Sequence, residues 1–584
     1  MKIPTLINRI FSALRSGWGL RLLGLFFAAA AAAQNPNSII YSKHNLSVSG
    51  PGDIRAATES DICIFCHAPH HATSDGPLWN HQMSVATYTP YYSSTLKAAV
   101  GQPTGASKLC LSCHDGTVAL GMVNSRSAAI AMQPGANTIP VGRASRFGTD
   151  LSAHHPVSFT YDIALATANG ELRDPGRLAQ EVRLDRGGQM QCTSCHDAHN
   201  NQYGAFLVKN NTASALCLDC HAPNYWSTSV HAASTATWNG SGQNPWPHTS
   251  QTTVAANACE NCHSPHDAQF PRRLLNFTTE EENCYSCHNG NVAAKNLTAE
   301  FNKVSVHPIT QNSSIHDPAE DIINSPRHVV CVDCHNPHAT RSTTAIAPAA
   351  NGALADVRGV NVAGAEVREL HYEYELCFRC HGDSTDRGQA RVQRQFVQTN
   401  TRQEFNPGNA SFHPVEGMGK STVVPSLILP WRVSSVMYCT DCHNNDQGPN
   451  TPGGTGPNGP HGSSFIPLLE RNLVLTDGWN EDTSIYALCY KCHDRNSILR
   501  NDSFQAVNSL GQERGHRYHI VDQKTACTTC HDSHGVATQS KLINFNTIYV
   551  TPSNGVILYT SSGGGHGTCT LTCHGKEHNA TAYP

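Results

Sequence analysis

The 584-residue chain contains 24 cysteines, and every one falls in a pair that closes on a histidine. Eleven pairs read Cys-x-x-Cys-His and the last reads Cys-x-x-x-Cys-His. The first six are Cys63 and Cys66, Cys110 and Cys113, Cys192 and Cys195, Cys217 and Cys220, Cys259 and Cys262, and Cys284 and Cys287. The other six are Cys331 and Cys334, Cys377 and Cys380, Cys439 and Cys442, Cys489 and Cys492, Cys527 and Cys530, and Cys569 and Cys573. The closing histidines are His67, His114, His196, His221, His263, His288, His335, His381, His443, His493, His531 and His574. Two thiols at this spacing form thioethers to the vinyl groups of one porphyrin, and the adjacent imidazole becomes a proximal iron ligand. Twelve covalently bound c-type hemes are therefore expected, with Cys569 and Cys573 the pair whose reach differs.

Zinc sites and thioredoxin-like redox centres also use Cys-x-x-Cys. A single copy would leave those readings open, but twelve copies, none lacking its histidine, do not. A disulfide framework has no need of a histidine after every second cysteine. No cysteine is left over for a nucleophile or a lipid anchor.

The pairs fall into six doublets, each with a histidine upstream. The upstream histidines are His44, His155, His248 (or His231), His307, His413 and His519; three of them open His-Pro-Val or His-Pro-Ile segments. A further histidine stands three residues beyond the first proximal ligand in five doublets: His70, His199, His266, His338 and His534. The fifth doublet has Asp446 there and offers His461 in a Gly-Pro-His-Gly segment. A histidine so close to a proximal ligand cannot readily cross the same porphyrin, so it is expected to ligate a neighbouring heme. The upstream histidines would supply the other distal ligands.

Subtracting the 12 proximal ligands from 34 histidines leaves 22 for 12 distal positions. The assignment is therefore open, with His71, His81, His154, His231, His316, His328, His371, His516, His566 and His578 as substitutes. Apolar segments ending in Asn (Phe206–Asn210, Leu274–Asn276 and Leu542–Asn544) lie between the two sites of three doublets and are expected to cover heme faces.

The N-terminus carries Lys2, Arg9, Arg15 and Arg21 ahead of or beside an apolar run from Leu22 to Ala33. That is the layout of a secretory signal peptide, and the run is shorter than the roughly 20 residues of a membrane-spanning helix. Export is expected, to the cell surface or outside the cell, with the periplasm as the alternative, and no transmembrane segment in the mature chain. Removing four positive charges and no acids would move the formal charge from -4 to -8. This balance argues against a nucleic-acid partner.

Charged residues are only 14 % of the chain, and the links are rich in Gly, Pro, Asn, Ser and Thr, which favour turns. Heme supplies the apolar surface that such a composition lacks. The expected fold is a loop-rich multiheme cytochrome c with short helices at the attachment motifs, as around Ala213–His221 and Tyr486–His493. The chain would wrap around a stacked heme array, with little regular sheet. Expected boundaries are 1–33 for the signal peptide, then diheme repeats 34–150, 151–230, 231–300, 301–400, 401–510 and 511–584. Residues 453–462 read as a flexible stretch and 345–364 as an inserted loop.

Bis-histidine ligation closes both axial positions, which suits electron transfer rather than catalysis, and no motif ends in an unusual ligand. The expected role is a long-range electron carrier outside the cytoplasm. The alternative is a reductase of nitrite or a sulfur oxyanion with one open-coordination heme.

The chain resembles the multiheme c-type cytochromes built from doubled Cys-x-x-Cys-His motifs, found in metal-reducing and related anaerobic bacteria. The resemblance covers nearly the whole mature chain. It is most specific at His44–Gly50, Cys66-His67-Ala68-Pro69-His70, Pro77–His81 and Leu109–Gly116. It implies electron delivery to other redox proteins or terminal acceptors such as minerals, electrodes or partner cells. It further implies that the partners include an outer-membrane conduit or further copies of the chain. In heme-lined filaments of the wider group a histidine of one subunit ligates a heme of the next, which would make His44 or His566 an intersubunit ligand.

Overall fold

Each attachment motif needs two thiols and an imidazole on one side of a single turn, and this requirement sets the local structure almost everywhere. In a computed structural model, which describes residues 35–74, 76–311, 316–384, 387–388, 390–507, 510–563 and 566–583, nine motifs close one helical turn. In each, the N–H of the histidine donates to the carbonyl of the first cysteine, as from His196 to Cys192 at 3.0 Å and from His335 to Cys331 at 3.0 Å. Two further motifs end α-helices: α1, Gly105–His114, and α2, Glu373–His381. The carboxylate of Glu375 accepts from the N–H groups of His371 and Tyr372, satisfying donors that a helix start leaves free. The expected signal segment, residues 1–33, lies outside the described residues.

Helices are short, and most sheets are two-residue antiparallel pairs such as Phe159–Thr160 with Gln189–Met190. The exception is a four-stranded antiparallel sheet: β1 Val550–Thr551, β2 Leu558–Gly563, β3 His566–Cys573 and β4 Lys576–Tyr583. The order is β2-β3-β4, with β1 also pairing β3. A two-residue turn, His574–Gly575, joins β3 to β4 with φ of 47° and 73°, the left-handed geometry that tight hairpins require.

The chain divides into two units. The first takes the chain up to Tyr92, Leu96–His221 and the tripeptide Pro265–Asp267. The second takes Ser93–Thr95, Ala222–Ser264 and the chain from Ala268 onward. The first thus holds motifs one to four and the second motifs five to twelve. Neither has one large core. Buried apolar residues form small separate clusters, such as Ala56, Phe65, Val123 and Ile130 in the first unit and Tyr374, Phe378, Phe405 and Met437 in the second. Attachment cysteines pack against several of them, Cys66 among the first and Cys439 and Cys442 among the second.

Residues 345–364 contain the short helix Gly352–Leu354 and the strand Gly359–Val360, which pairs with Glu366–Val367. Residues 453–462 are held by Gly456 donating to Gln447 (2.6 Å) and Asn445 donating to Gly459 (3.2 Å). That stretch leads into His461.

Candidate heme-binding sites

Proximal imidazoles are oriented by the loop that follows each motif. Nδ1 of His196 faces the carbonyl of Ala205 (2.9 Å), and those of His263, His335 and His531 face Arg273 (2.8 Å), Ala353 (2.9 Å) and Lys541 (2.9 Å). A carbonyl only accepts, so Nδ1 carries the proton and Nε2 presents its lone pair, the tautomer that binds a metal. Ala205, Arg273 and Lys541 each stand immediately before one of the three apolar-Asn segments.

Two imidazoles bound trans to one iron, through bonds of about 2.0 Å, keep their ring centroids about 6 Å apart. Ten proximal histidines face another histidine at this spacing. In the first unit the pairs are His67 with His199 (6.1 Å), and His114 with His44, His196 with His266 and His221 with His155 (each 6.2 Å). In the second unit His263 faces His338, His288 faces His231, His443 faces His534 and His531 faces His516, each at 6.2 Å. His335 faces His461 at 6.1 Å and His381 faces His307 at 6.5 Å. His493 is held low, to about 4, by burial and then by the neighbouring imidazole of His413. Burial and facing imidazoles likewise push His266 and His461 down to about 3, so these rings are neutral, the form that ligates a metal.

The register of these pairs is regular. Upstream histidines His44, His155, His231, His307 and His413 meet the second site of their own doublet. The third-position histidines His199, His266, His338 and His534, together with His461, meet the first site of the preceding doublet. Hydrogen bonds join the two sets. Nδ1 of His44, His231, His307 and His413 faces the carbonyl of Ala198 (3.2 Å), Pro337 (2.9 Å), Pro460 (2.9 Å) and Ser533 (2.6 Å). The N–H of His155 donates to Pro265 at 2.8 Å. Each acceptor immediately precedes the histidine that serves the doublet's other site. The two histidines that face a doublet's motifs are therefore held as one piece.

Thiols alternate in the same way. First cysteines meet between doublets: Cys110 lies beside Cys192, Cys284 beside Cys331, Cys377 beside Cys439, and Cys489 beside Cys527. Second cysteines interact within doublets: Cys66 with Cys113, Cys195 with Cys220, Cys262 with Cys287, Cys334 with Cys380, Cys442 with Cys492, and Cys530 with Cys573. Backbone contacts support this order, as where Ser107 of α1 accepts from the N–H of Cys192 at 3.1 Å. Within each unit the sites follow one another in sequence order.

The twelfth motif is built differently. Cys569 and Cys573 lie on β3 with a register shift between Cys569 and Leu571, and both pack with Cys530 around Ile543, Phe545, Val550 and Leu571. His574 sits in the hairpin turn, and its Nε2 hydrogen-bonds the carboxylate of Asp477 at 2.7 Å. Among the described residues no imidazole faces it at bis-ligand spacing.

Three other candidate ligands also stand apart from the pairs. His70 is exposed. His248 points Nε2 at the carbonyl of Glu260 (3.1 Å), and His231 instead lies opposite His288. His519 turns Nδ1 to Gly515 (3.0 Å), and His516 lies opposite His531.

Among the described residues no helix is long and apolar enough to cross a membrane. None of the curated proteins compared matches the chain. Residues 186–224 match the doubled CXXCH motif family, over the third and fourth sites. Residues 251–412 match the family described as outer membrane cytochrome MtrC/MtrF-like, domains II/IV, over the fifth to eighth sites. The chain is a multiheme c-type cytochrome with doubled Cys-x-x-Cys-His motifs, homologous over that segment to the MtrC/MtrF outer-membrane cytochromes of metal-reducing bacteria.

Proposed function

We propose that the chain binds twelve hemes c and transfers electrons along them outside the cytoplasm, as a carrier rather than an enzyme. The observation that carries this reading is the set of ten imidazole pairs at 6.1–6.5 Å, joined by His413 and His493 as the eleventh. Bound heme supplies a one-electron couple at each site. The protein's own residues would hold two imidazoles on the iron at eleven of the sites, close the sixth position there to substrates, and set neighbouring sites thiol beside thiol. A site rigid in both oxidation states needs little rearrangement on electron transfer. Likeness to outer-membrane cytochromes supports a place at the cell surface and a redox protein or membrane conduit as partner.

The test is cyanide and nitrite added to the fully loaded ferric protein. A carrier reduces no nitrite, and cyanide changes its spectrum by no more than the one heme of the twelfth site; rapid cyanide binding with nitrite turnover would identify a reductase.

One observation favours a polymeric carrier. His199, His266, His338 and His534 each face a proximal histidine of another doublet, whereas His70 faces no histidine ring among the described residues. It is exposed, while the twelfth site at the other end has no facing imidazole among the described residues. In a polymer His70 of one copy would ligate the twelfth site of the next. The 6.2 Å spacing of His44 and His114 supports His70 rather than His44 in this role. Filaments that vanish in His70→Ala, with monomer heme content unchanged, support this assembly. Filaments that persist rule out His70 as the link.

A further inference from the structure

Four side chains that serve no heme pair converge inside the second unit. His316, Glu320, His328 and Asp333 each offer one ligand atom, and these atoms all lie within 4.8 Å of one another. Every one of the four side chains is 9 % exposed or less. Nδ1 of His316 lies 2.9 Å from Asp333 Oδ1 and 3.7 Å from Glu320 Oε1. Nε2 of His328 lies 3.4 Å from Glu320 Oε2 and 3.7 Å from Asp333 Oδ2.

The decisive group is His328. Its Nδ1 faces the carbonyl of Pro326 at 3.1 Å, so Nδ1 is the donor and Nε2 of the neutral ring is a lone pair. That lone pair is buried, has no hydrogen-bond partner and points between two carboxylate oxygens. Three acceptors turned toward one another call for a positive charge among them, a cation or a proton on Nε2. A tetrahedral zinc ion with bonds of about 2.0–2.1 Å keeps its ligand atoms about 3.4 Å apart, close to the spacings around His328.

Arg379 leaves the place open. Its Nη2 donates to Glu320 Oε1 and Asp333 Oδ1, both at 2.6 Å, which are the oxygens His328 does not face. Nη1 donates to the backbone carbonyl of Asp333 at 3.0 Å and fixes the loop. Arg273 holds the carbonyl of His316 at 2.6 Å. Two carboxylates against the one guanidinium that contacts both leave a negative charge for a cation to offset.

We propose that His316, Glu320, His328 and Asp333 bind one divalent cation of the zinc class, distinct from every heme iron. Two imidazoles and two carboxylates are a borderline donor set, suited to zinc rather than to calcium or magnesium, which take oxygen ligands. The position gives the ion a role. Asp333 lies between Cys331 and Cys334 of the seventh motif, and Arg379 lies between Cys377 and Cys380 of the eighth. Cys334 and Cys380 are themselves neighbours. A fixed positive charge here favours the reduced state of both adjoining sites, and it pins the Asp333 turn to the segment carrying His316.

The experiment uses the full, heme-loaded protein, stripped with a chelator, incubated with zinc chloride and passed through a desalting column. Zinc and iron are then counted together, and the zinc K-edge spectrum is recorded. The expected result is one zinc per chain, bound by two imidazoles and two oxygens. In His328→Ala and Glu320→Gln the zinc falls to near zero with iron unchanged, whereas His371→Ala retains it. Equal zinc in wild type and His328→Ala, no retained zinc in wild type, or a spectrum with fewer than two imidazoles overturns the proposal. Should neither variant load heme, the wild-type count and spectrum decide alone. The zinc count is independent of the electron-transfer reading, so either can fail without the other.

Discussion

His335 and His461 face each other with ring centroids 6.1 Å apart and planes inclined by 23°, although they belong to different doublets. His461 arrives on the loop that follows the ninth motif, and His307 holds the carbonyl of Pro460 immediately before it. One loop thus sets His461 opposite the seventh motif's histidine while tied to His307, which faces the eighth motif's His381. This linkage recurs through the chain, and it makes ligand exchange at one site a structural event at the next.

Replacing His461 by alanine opens the sixth position of a single heme. The ferric protein should gain one high-spin heme that binds cyanide, with all covalent hemes retained. His248→Ala, by contrast, should add no high-spin heme to those of the unaltered protein. Electron paramagnetic resonance distinguishes the two variants. A high-spin signal from His248→Ala and none from His461→Ala would reverse the assignment.

Cys569 and Cys573 lie on a strand, so thioether bonds to one porphyrin require β3 to depart from its described course. Cys569→Ser with Cys573→Ser should remove one heme and leave the others attached, which intact-mass measurement reads directly. A wild-type mass already one heme short would limit covalent attachment to the eleven helical motifs.

Glu373 is buried, and burial pushes its carboxyl up to about 7 against hydrogen bonds from the Thr440 N–H and hydroxyl. It lies between the eighth and ninth sites. Between the ordinary 4.5 and about 7 the folded state binds more protons than the unfolded chain, so stability falls as pH rises through this window. Ionisation also opposes electron uptake nearby. Potentials of the flanking hemes should drop by on the order of 50 mV as pH rises past 7, and Glu373→Gln should abolish that drop. Spectroelectrochemistry at pH 6 and pH 8 provides the check.

Asp477 is nearly fully buried and accepts from the Ala526 N–H (2.7 Å), the Thr529 hydroxyl (2.6 Å) and His574 (2.7 Å). Asp477→Ala leaves two donors beside the eleventh motif unsatisfied. Thermal unfolding should show a loss of about 1–3 kcal/mol. Asp477→Asn, which keeps an acceptor, should lose less.

Attachment cysteines and closing histidines are legible in the sequence because thioether chemistry fixes their spacing. The loop-rich fold follows from the same motifs, since each needs only one turn, and from links too polar to build a large core. Distal positions are legible only in part. Local sequence marks His155, His307 and His413 by the proline that follows, and marks His199 or His338 by their offset from a proximal ligand. Which site each serves depends on contacts between segments far apart, as from His307 to Pro460. His231 and His516 stand opposite proximal ligands where His248 and His519 read equally well, because nothing local separates them. The sheet at Val550–Tyr583 was also hidden: its hairpin turn uses His574, a residue whose place in a motif suggests another role.

The most direct test of the account is near-infrared magnetic circular dichroism of the fully oxidised, heme-loaded protein, which counts axial ligand types. The account predicts bis-histidine, low-spin signatures for at least eleven hemes, with any exception confined to the twelfth site. Two or more high-spin hemes, or any histidine–methionine pair, would contradict it.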